Sequence, residues 1–246
     1  MAKGKNKTLR WARLYVDGYN LSGDSRTISG FDNMIGEVDL SGWSETVRHF
    51  ARDHRLTTGI NGYQAIANDT ATTGAYTILN TASSHDVAFL FGGGAAPTVG
   101  DIAYLLKAEQ LSAESAFESS LAVIQADFKP LAGYDYKPIG VVLSGESSIS
   151  ATTTFASVNN GAATTNGWIM QIHVVATSSG DYAFKIEDSA DGSSWGDLTS
   201  GVFTIDGSAI ASETVSAASG TVKQYIRLVA TRTAGACTPV CVFSRN

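Results

Sequence analysis

The sequence predicts a mainly-β protein in two units. The first is an N-terminal mixed β-sandwich or barrel domain with one helix, residues 1–137, and the second a C-terminal antiparallel β-sandwich of Ig-like type, residues 138–246. Three observations predict this. Charged residues make up 16% of the chain and hydrophobic ones 43%, with Ser, Thr, Ala and Gly filling the difference. An average domain carries about 25% charge, and a helical bundle needs more Leu, Glu and Lys. Short apolar or alternating segments recur at the spacing of a sandwich. The texture changes at "KPLAGYDYKPIGVVLSG", which holds two of the four prolines beside Gly133 and Gly140 and marks the boundary.

Each element follows from a local pattern. "LRWARLYVDGYNLSG" alternates Trp11, Arg13 and Tyr15 against Ala12, Leu14 and Val16, then turns at "DGYN". "FDNMIGEVDLSGWSETVRHF" is a strand, a break at Ser41-Gly42 and a second short element. "RLTTGINGYQAI" is a strand kinked at Gly59, with a turn-like Asn61-Gly62. "NDTATTGAYTILNTA" is the helix: Asn68, Asp69 or Thr70 can cap it, and Ala75, Ile78, Leu79 and Ala82 fall at helical spacing. "HDVAFLFGGG" and "SLAVIQADFKPL" are strands, the latter stopped by Pro130, while the mixed Tyr and Leu run of "DIAYLLKAEQL" fits helix or strand and is read as a strand because Gly and Pro precede it closely. Beyond the boundary come "IGVVL", "GWIMQIHVVAT", "YAFKIED", "VFTI", "VKQYIRLVAT" and "CTPVCVF". Of these, "IMQIHVV" and "QYIRLVA" alternate as half-buried antiparallel strands do.

Charge and cysteine narrow the function. Residues 1–13 hold Lys3, Lys5, Lys7, Arg10 and Arg13 and no acid, which leaves 12 basic against 23 acidic residues elsewhere. A basic arm therefore precedes an acidic body. The arm is either a solvated start or a segment that docks on an acidic neighbour, such as another copy of the chain. An acidic body argues against tight wrapping on DNA, which needs clustered Lys and Arg. Cys237 and Cys241 lack metal or redox spacing and are expected on one side of a strand as buried free thiols. No apolar run reaches the roughly 18 residues of a membrane helix, and the basic start has no apolar stretch behind it, so neither a membrane span nor a secretory signal is expected.

No catalytic signature is present, and the chain is expected not to be an enzyme and to use no cofactor or metal. "GGGAAPTVG" lacks the Gly-Lys-Ser/Thr ending of a phosphate cradle. "HFARDH" spaces His49 and His54 five apart, not four, without the Glu of a metalloprotease helix. His49, His54, His85 and His173 are each expected at the surface or half-buried. No Gly-x-Ser-x-Gly elbow occurs.

"KIEDSADGSSWGDL", residues 185–198, gathers Glu187, Asp188, Asp191 and Asp197 around Gly192 and Trp195. A helix-loop-helix calcium site is out of register: Asp188 and Asp191 are three apart and the twelfth position is Thr199. The Asp-Gly pair signals a tight hairpin turn, its carboxylates solvated. Trp195 then covers the sandwich end or offers a surface stacking face. With Trp168 and Tyr182 it would make a carbohydrate-binding module for host attachment.

"FKIEDSADGSSWGDL", "GTVKQYIRLVATRT" and the closing "TPVCVFSRN" resemble the C-terminal β-sandwich of tailed-bacteriophage structural proteins, in which a K-I-x-D-S-x-D-G-x-x-W-x-D-L hairpin and a G-T-V-x-x-Y-x-R strand recur. "LYVDGYNLSGDSRTI" resembles the first hairpin of the same proteins, the tail tube or major tail proteins. The likenesses cover about half of the chain and are patterns of fold and turn. The resemblance implies a virion tail protein made in the host bacterial cytoplasm. Its copies would form stacked hexameric rings that meet other phage tail proteins and conduct DNA without binding it specifically, with no membrane partner. Capsid decoration and head-completion proteins share such sandwiches and are the alternative. Contacts between copies are expected from the basic arm and from the charged "SGWSETVRHFARDHRL" segment. The candidate residues are Lys3, Lys5, Lys7, Arg10, Arg13, Arg48, Arg52 and Arg55, with an ordinary exposed hairpin as the other reading of that segment.

Overall fold

A computed structural model describes residues 12–39, 50–70, 73–92, 96–118, 120–131, 139–178, 180–207 and 210–245. The chain is mainly β. Its first half forms β1 (Arg13–Val16), β2 (Tyr19–Asn20), β3 (Ser25–Thr27), β4 (Gly30–Asp39), β5 (Phe50–Ile66), α1 (Ala75–Leu79), β6 (Ser84–Leu90), β7 (Ile102–Gln110), β8 (Glu114–Glu118) and β9 (Leu121–Pro130). The strands pair antiparallel in the order β2-β1-β6-β7-β9-β5, with β3 and β4 on the far edge of β5 and β8 on β9. The sheet curls around Leu14, Val16, Tyr63, Val87, Phe89, Ile124 and Phe128, all buried.

Local chemistry explains most of these elements. Asp17 and Gly18 have φ of 51° and 88°, the left-handed pair that a two-residue hairpin turn requires, and they join β1 to β2 with Val16 opposite Tyr19. Asn61-Gly62 is not a turn. It is a bulge inside β5, where the pairing with β9 slips between Ile60 and Tyr63 and Gly62 takes a φ of 57°. The helix is present but spans five residues. The Asn68 carbonyl accepts the Tyr76 N–H at 3.0 Å, but the side-chain cap does not come from Asn68, Asp69 or Thr70. Asp24 supplies it from 51 residues away, with Oδ2 accepting the Ala75 N–H at 3.1 Å while Asn68 Nδ2 donates to both Asp24 oxygens at 3.1 Å.

The second half forms β10 (Ile139–Ser144), β11 (Thr153–Thr154), β12 (Val158–Asn159), β13 (Trp168–Ser178), β14 (Gly180–Ser189), β15 (Gly196–Gly207), β16 (Ala211–Ala217), β17 (Tyr225–Arg232) and β18 (Ala236–Arg245). The strands make two facing sheets, β16-β13-β18-β10 and β11-β17-β14-β15, with β12 also on β17. Between them lie Trp168, Met170, Ile172, Cys237, Cys241 and Phe243 from one sheet and Tyr182, Phe184, Ile186, Ile226 and Leu228 from the other. This is the expected sandwich. The two thiols are free and buried on one side of β18, and burial pushes Cys237 up to about 11.

The boundary segment 132–138 lies outside the described residues. On its far side β10 pairs with both β18 and β7, so hydrogen bonding runs from one half into the other. The outer face of β13 and β18 is also covered. Ile169, Val240 and Val242 pack there against Tyr15, Ala88, Leu90, Ala103 and Leu105. The alternation of "IMQIHVV" therefore marks two buried faces, not the half-buried strand its pattern suggests.

Asp24→Ala should lower stability by about 1 kcal/mol through the lost cap, read as a shift in the urea midpoint. Asp69→Ala should change it by less than about 0.5 kcal/mol.

Candidate functional site

Two features stand out as functional candidates: a ribbon that leaves the barrel and a buried polar seam where the two halves meet. The ribbon is made by β4 and β5. Their pairing runs from Gly30 opposite Asn61 to Asp39 opposite Phe50. β9 pairs with β5 only from Ile60 onward, and β3 only at Gln64 and Ala65. Among the described residues, positions 50–58 thus have β4 as their one partner strand. At about 3.3 Å per residue this is on the order of 30 Å of two-stranded ribbon. Its root is fixed by Tyr104 of β7, whose hydroxyl accepts the Gly59 N–H at 2.8 Å and donates to the Gly59 carbonyl at 3.0 Å. Phe31 packs there against Phe89, Phe91 and Tyr104, at centroid distances of 4.9, 5.5 and 4.9 Å.

The seam begins at the β1–β2 turn. The Gly18 N–H donates to His173 Nδ1 at 3.0 Å, and His173 Nε2 donates to Gln171 Oε1 at 3.0 Å. Gln171 Nε2 donates in turn to the Leu106 carbonyl at 3.2 Å and to Thr214 Oγ1 at 3.0 Å. Thr214 and Ser212 hydroxyls both donate to Asp86, at 2.5 and 2.7 Å, and Lys107 Nζ lies 2.8 Å from the same carboxylate. The partners fix the tautomer: His173 is neutral, with its proton on Nε2. Burial holds its pKa down to about 4, against the pull of Asp86 and Asp17. Burial works to raise the Asp86 pKa, but the hydrogen bonds from Lys107, Thr214 and Ser212 outweigh it and hold that carboxyl below its ordinary range. Beside this chain His85 is also buried, with Nδ1 2.6 Å from Asp17 Oδ2 and Nε2 2.9 Å from Gln110 Oε1. His85 and His173 are therefore not surface or half-buried histidines. The signal that could have found them is a polar residue inside an apolar run, in "HDVAFLF" and "IMQIHVV".

The 185–198 stretch forms the expected hairpin with a longer loop than a tight turn, and of its carboxylates Asp191 and Asp197 are exposed while Asp188 is buried and Glu187 half-buried. Residues 190–195 form a loop between β14 and β15, organised by Asp191. Its Oδ1 accepts the Ser193 and Ser194 N–H groups at 2.8 Å each and the Ser189 hydroxyl at 2.9 Å. Those bonds, the Ser194 and Ser193 amides foremost, hold the Asp191 carboxyl far below the usual range. Asp188 is buried and accepts from Lys223, at 3.0 Å from the amide and 2.7 Å from Nζ. Glu187 sits between Arg227 Nη2 at 2.6 Å and Lys185 Nζ at 2.8 Å, and Lys185 reaches Asp197 at 2.6 Å. No group of three or more His, Cys, Asp or Glu among the described residues is placed to hold a metal ion.

The proposed sugar platform does not assemble. Trp168 and Tyr182 are 1% exposed, Trp168 stacked on Phe243 and Tyr182 on Phe184. Trp195 is half-buried, and the Arg227 guanidinium lies over its ring 4.0 Å from the centroid. Of the basic candidates, Lys3, Lys5, Lys7, Arg10 and Arg48 lie outside the described residues. Arg13 sits in β1 with Nε 3.6 Å from Glu146 of its own chain. Arg52 and Arg55 belong to the ribbon strand β5, Arg52 opposite Glu37 and Arg55 in the register shift that follows Ile35.

Asp86→Ala should cost about 3 kcal/mol, because it strands Lys107 and two hydroxyls that converge on one buried carboxylate. Chemical denaturation of the variant measures it.

No family model matches the chain, and no curated protein matches it. Among solved structures it is similar to the Dit protein (gp 19.1) of SPP1, described as a paradigm of the hub adsorption apparatus in phages that infect Gram-positive bacteria. The identity is 12%, the match covers 95% of this chain and 99% of that one, and the TM-score is 0.36. A score of that size does not establish a shared fold.

Proposed function

We propose that the chain is a structural protein of a tailed-phage virion and, within that class, the tail tube subunit, whose copies close into stacked hexameric rings around the DNA channel. The observation that carries the proposal is the β4–β5 ribbon. A two-stranded ribbon with no third strand is marginal in water. Its stability calls for another surface to lie against, and in a ring of identical subunits the next copy provides one. The ribbon includes residues 50–56 of the charged segment expected to reach a neighbour.

Two further features support this reading. The acidic body, 23 acidic against 12 basic residues outside the first 13, suits a channel through which DNA slides without sticking. The opposite charge of the arm lets Lys3, Lys5, Lys7 and Arg10 bind an acidic neighbouring copy. The hairpin and strand motifs that resemble tail proteins fall on β14–β15 and β17, where Glu187, Asp188 and Arg227 act as structural ties.

Negative-stain electron microscopy, with light scattering over a concentration series, tests the assignment. The intact protein should form rings or stacked tubes. Replacing residues 36–54 by a short Asn-Gly turn should leave a folded monomer. Deleting residues 1–10, which leaves Ala12 and β1 in place, should weaken stacking, and high salt should mimic that deletion. A monomer or trimer at every concentration that coats added phage capsids would overturn the tube assignment in favour of capsid decoration.

A further inference from the structure

We propose that His173 is an acid-sensitive latch: when its ring takes up a proton, Nδ1 can no longer accept the Gly18 amide, and the β1–β2 hairpin comes away from the sheet made by β13 and β16. The geometry leaves no alternative acceptor role for the ring. Nδ1 faces a backbone donor at 3.0 Å, and Nε2 already donates to Gln171. A proton on Nδ1 would set two N–H groups against each other in a site where His173 is 0% exposed.

The turn has no slack to absorb the clash. A Cβ on Gly18 would lie 2.6 Å from the Ala211 carbonyl oxygen and 2.8 Å from Ile210 Cγ2, so the hairpin tip is wedged against the start of β16. It must leave as a unit. The other end of the hairpin contact is the Asp17 N–H donating to the Asp86 carbonyl at 3.0 Å.

The groups facing the ring set its response. The turn brings Asp17, and β1 brings the Tyr15 ring, 5.9 Å away. Asp86 comes from β6 and Lys107 from β7. From β16 come Ser212, opposite His173 in register, and Glu213 beside it; β18 places Val240 opposite. Asp86 and Asp17 favour the charged ring, while Lys107 and burial oppose it, and burial is the largest effect.

The sign follows from linkage. The docked ring has a pKa of about 4 and the released ring one near the ordinary 6.5. The released state binds the extra proton between those values, so the docked state loses stability as pH falls from 6.5 towards 4 and the loss saturates below 4. Opening should therefore increase roughly 100-fold between pH 7 and pH 4.

Amide hydrogen exchange of the full chain, followed by NMR and corrected for intrinsic rates, tests this at Gly18. Protection of Gly18 in the wild type should fall by roughly 100-fold between pH 7 and pH 4. In His173→Gln, whose Oε1 accepts the same amide without titrating, it should stay level. Equal losses in both proteins, or unchanged protection in the wild type, would overturn the latch. If the Gln variant does not fold, the wild type alone decides: the loss of Gly18 protection must set in near pH 6.5 and level off where the His173 ring resonances titrate, and a loss that does not level off there overturns the proposal.

Discussion

β7 has two edges and three neighbours, and the arrangement of the molecule depends on how it shares them. Its whole length pairs with β6 on one side. On the other, Ile102, Ala103 and Tyr104 pair with β10, while Ala108, Glu109 and Gln110 pair with β9. The first contact carries the sheet into the C-terminal sandwich, and the second curls it towards the N-terminal barrel. Where the edge divides, backbone groups lose ladder partners in a buried place, which is costly unless something else satisfies them. On that edge the Leu131 N–H meets the Lys107 carbonyl at 2.8 Å, and on the β6 edge Gln171 adds a bond to the carbonyl of Leu106, opposite Val87. The divided edge is therefore continued by the residue just past the end of β9, and Gln171 ties β13 to the other edge of the strand.

This explains why so many polar side chains are buried at that point. Gln171 is held by His173 and Thr214, and Thr214 by Asp86. Asp86 is in turn held by Ser212 and by Lys107, the residue at the fork itself. An apolar core of the same volume would be as stable or more so, since buried charge repays its desolvation only in good geometry. What apolar residues would not supply is register. Each hydrogen bond in the chain has a fixed donor and acceptor, so β13 cannot slip relative to β7 without orphaning several groups at once. In this molecule the polar seam specifies how the halves meet, and the apolar cores on either side supply the burial.

Strands were legible in the sequence wherever a pattern is local. "HDVAFLF", "AYLLKAE" and "CTPVCVF" carry their own apolar runs, and Asp17-Gly18 carries its own turn chemistry. What failed needed a partner far along the chain. The Asn61-Gly62 pair looks the same whether it turns a hairpin or bulges a strand, and the presence of β9 decides it. The helix cap comes from Asp24, which no window around residues 68–79 contains. His85, Asp86, Gln171 and His173 were hidden for a different reason. Period-two alternation assigns polar residues to solvent, and here the second face of the strand lies under another layer. In the 185–198 stretch the carboxylates were visible but their partners Lys223 and Arg227 were not. Glu187 and Asp188 therefore passed for solvated acids, whereas Asp191 and Asp197 are exposed as expected.

The fork strand also ties the ribbon to the sandwich. Tyr104 pairs with Phe89 in β6 and Ile139 in β10, and its hydroxyl holds both backbone groups of Gly59 at the ribbon's root. Gly59 has to be glycine for this approach, because a Cβ there would lie 2.8 Å from the Phe128 carbonyl oxygen. A load on the ribbon would thus pass along β5 to β9 and, through the phenol, to β7, whose partners are β6, β9 and β10. Close-packed cores shift between discrete arrangements and do not flex continuously, so such a root holds the ribbon's direction. Among the described residues the ribbon's own edge pairs with no third strand at positions 50–58, while the strands behind it are locked into two cores.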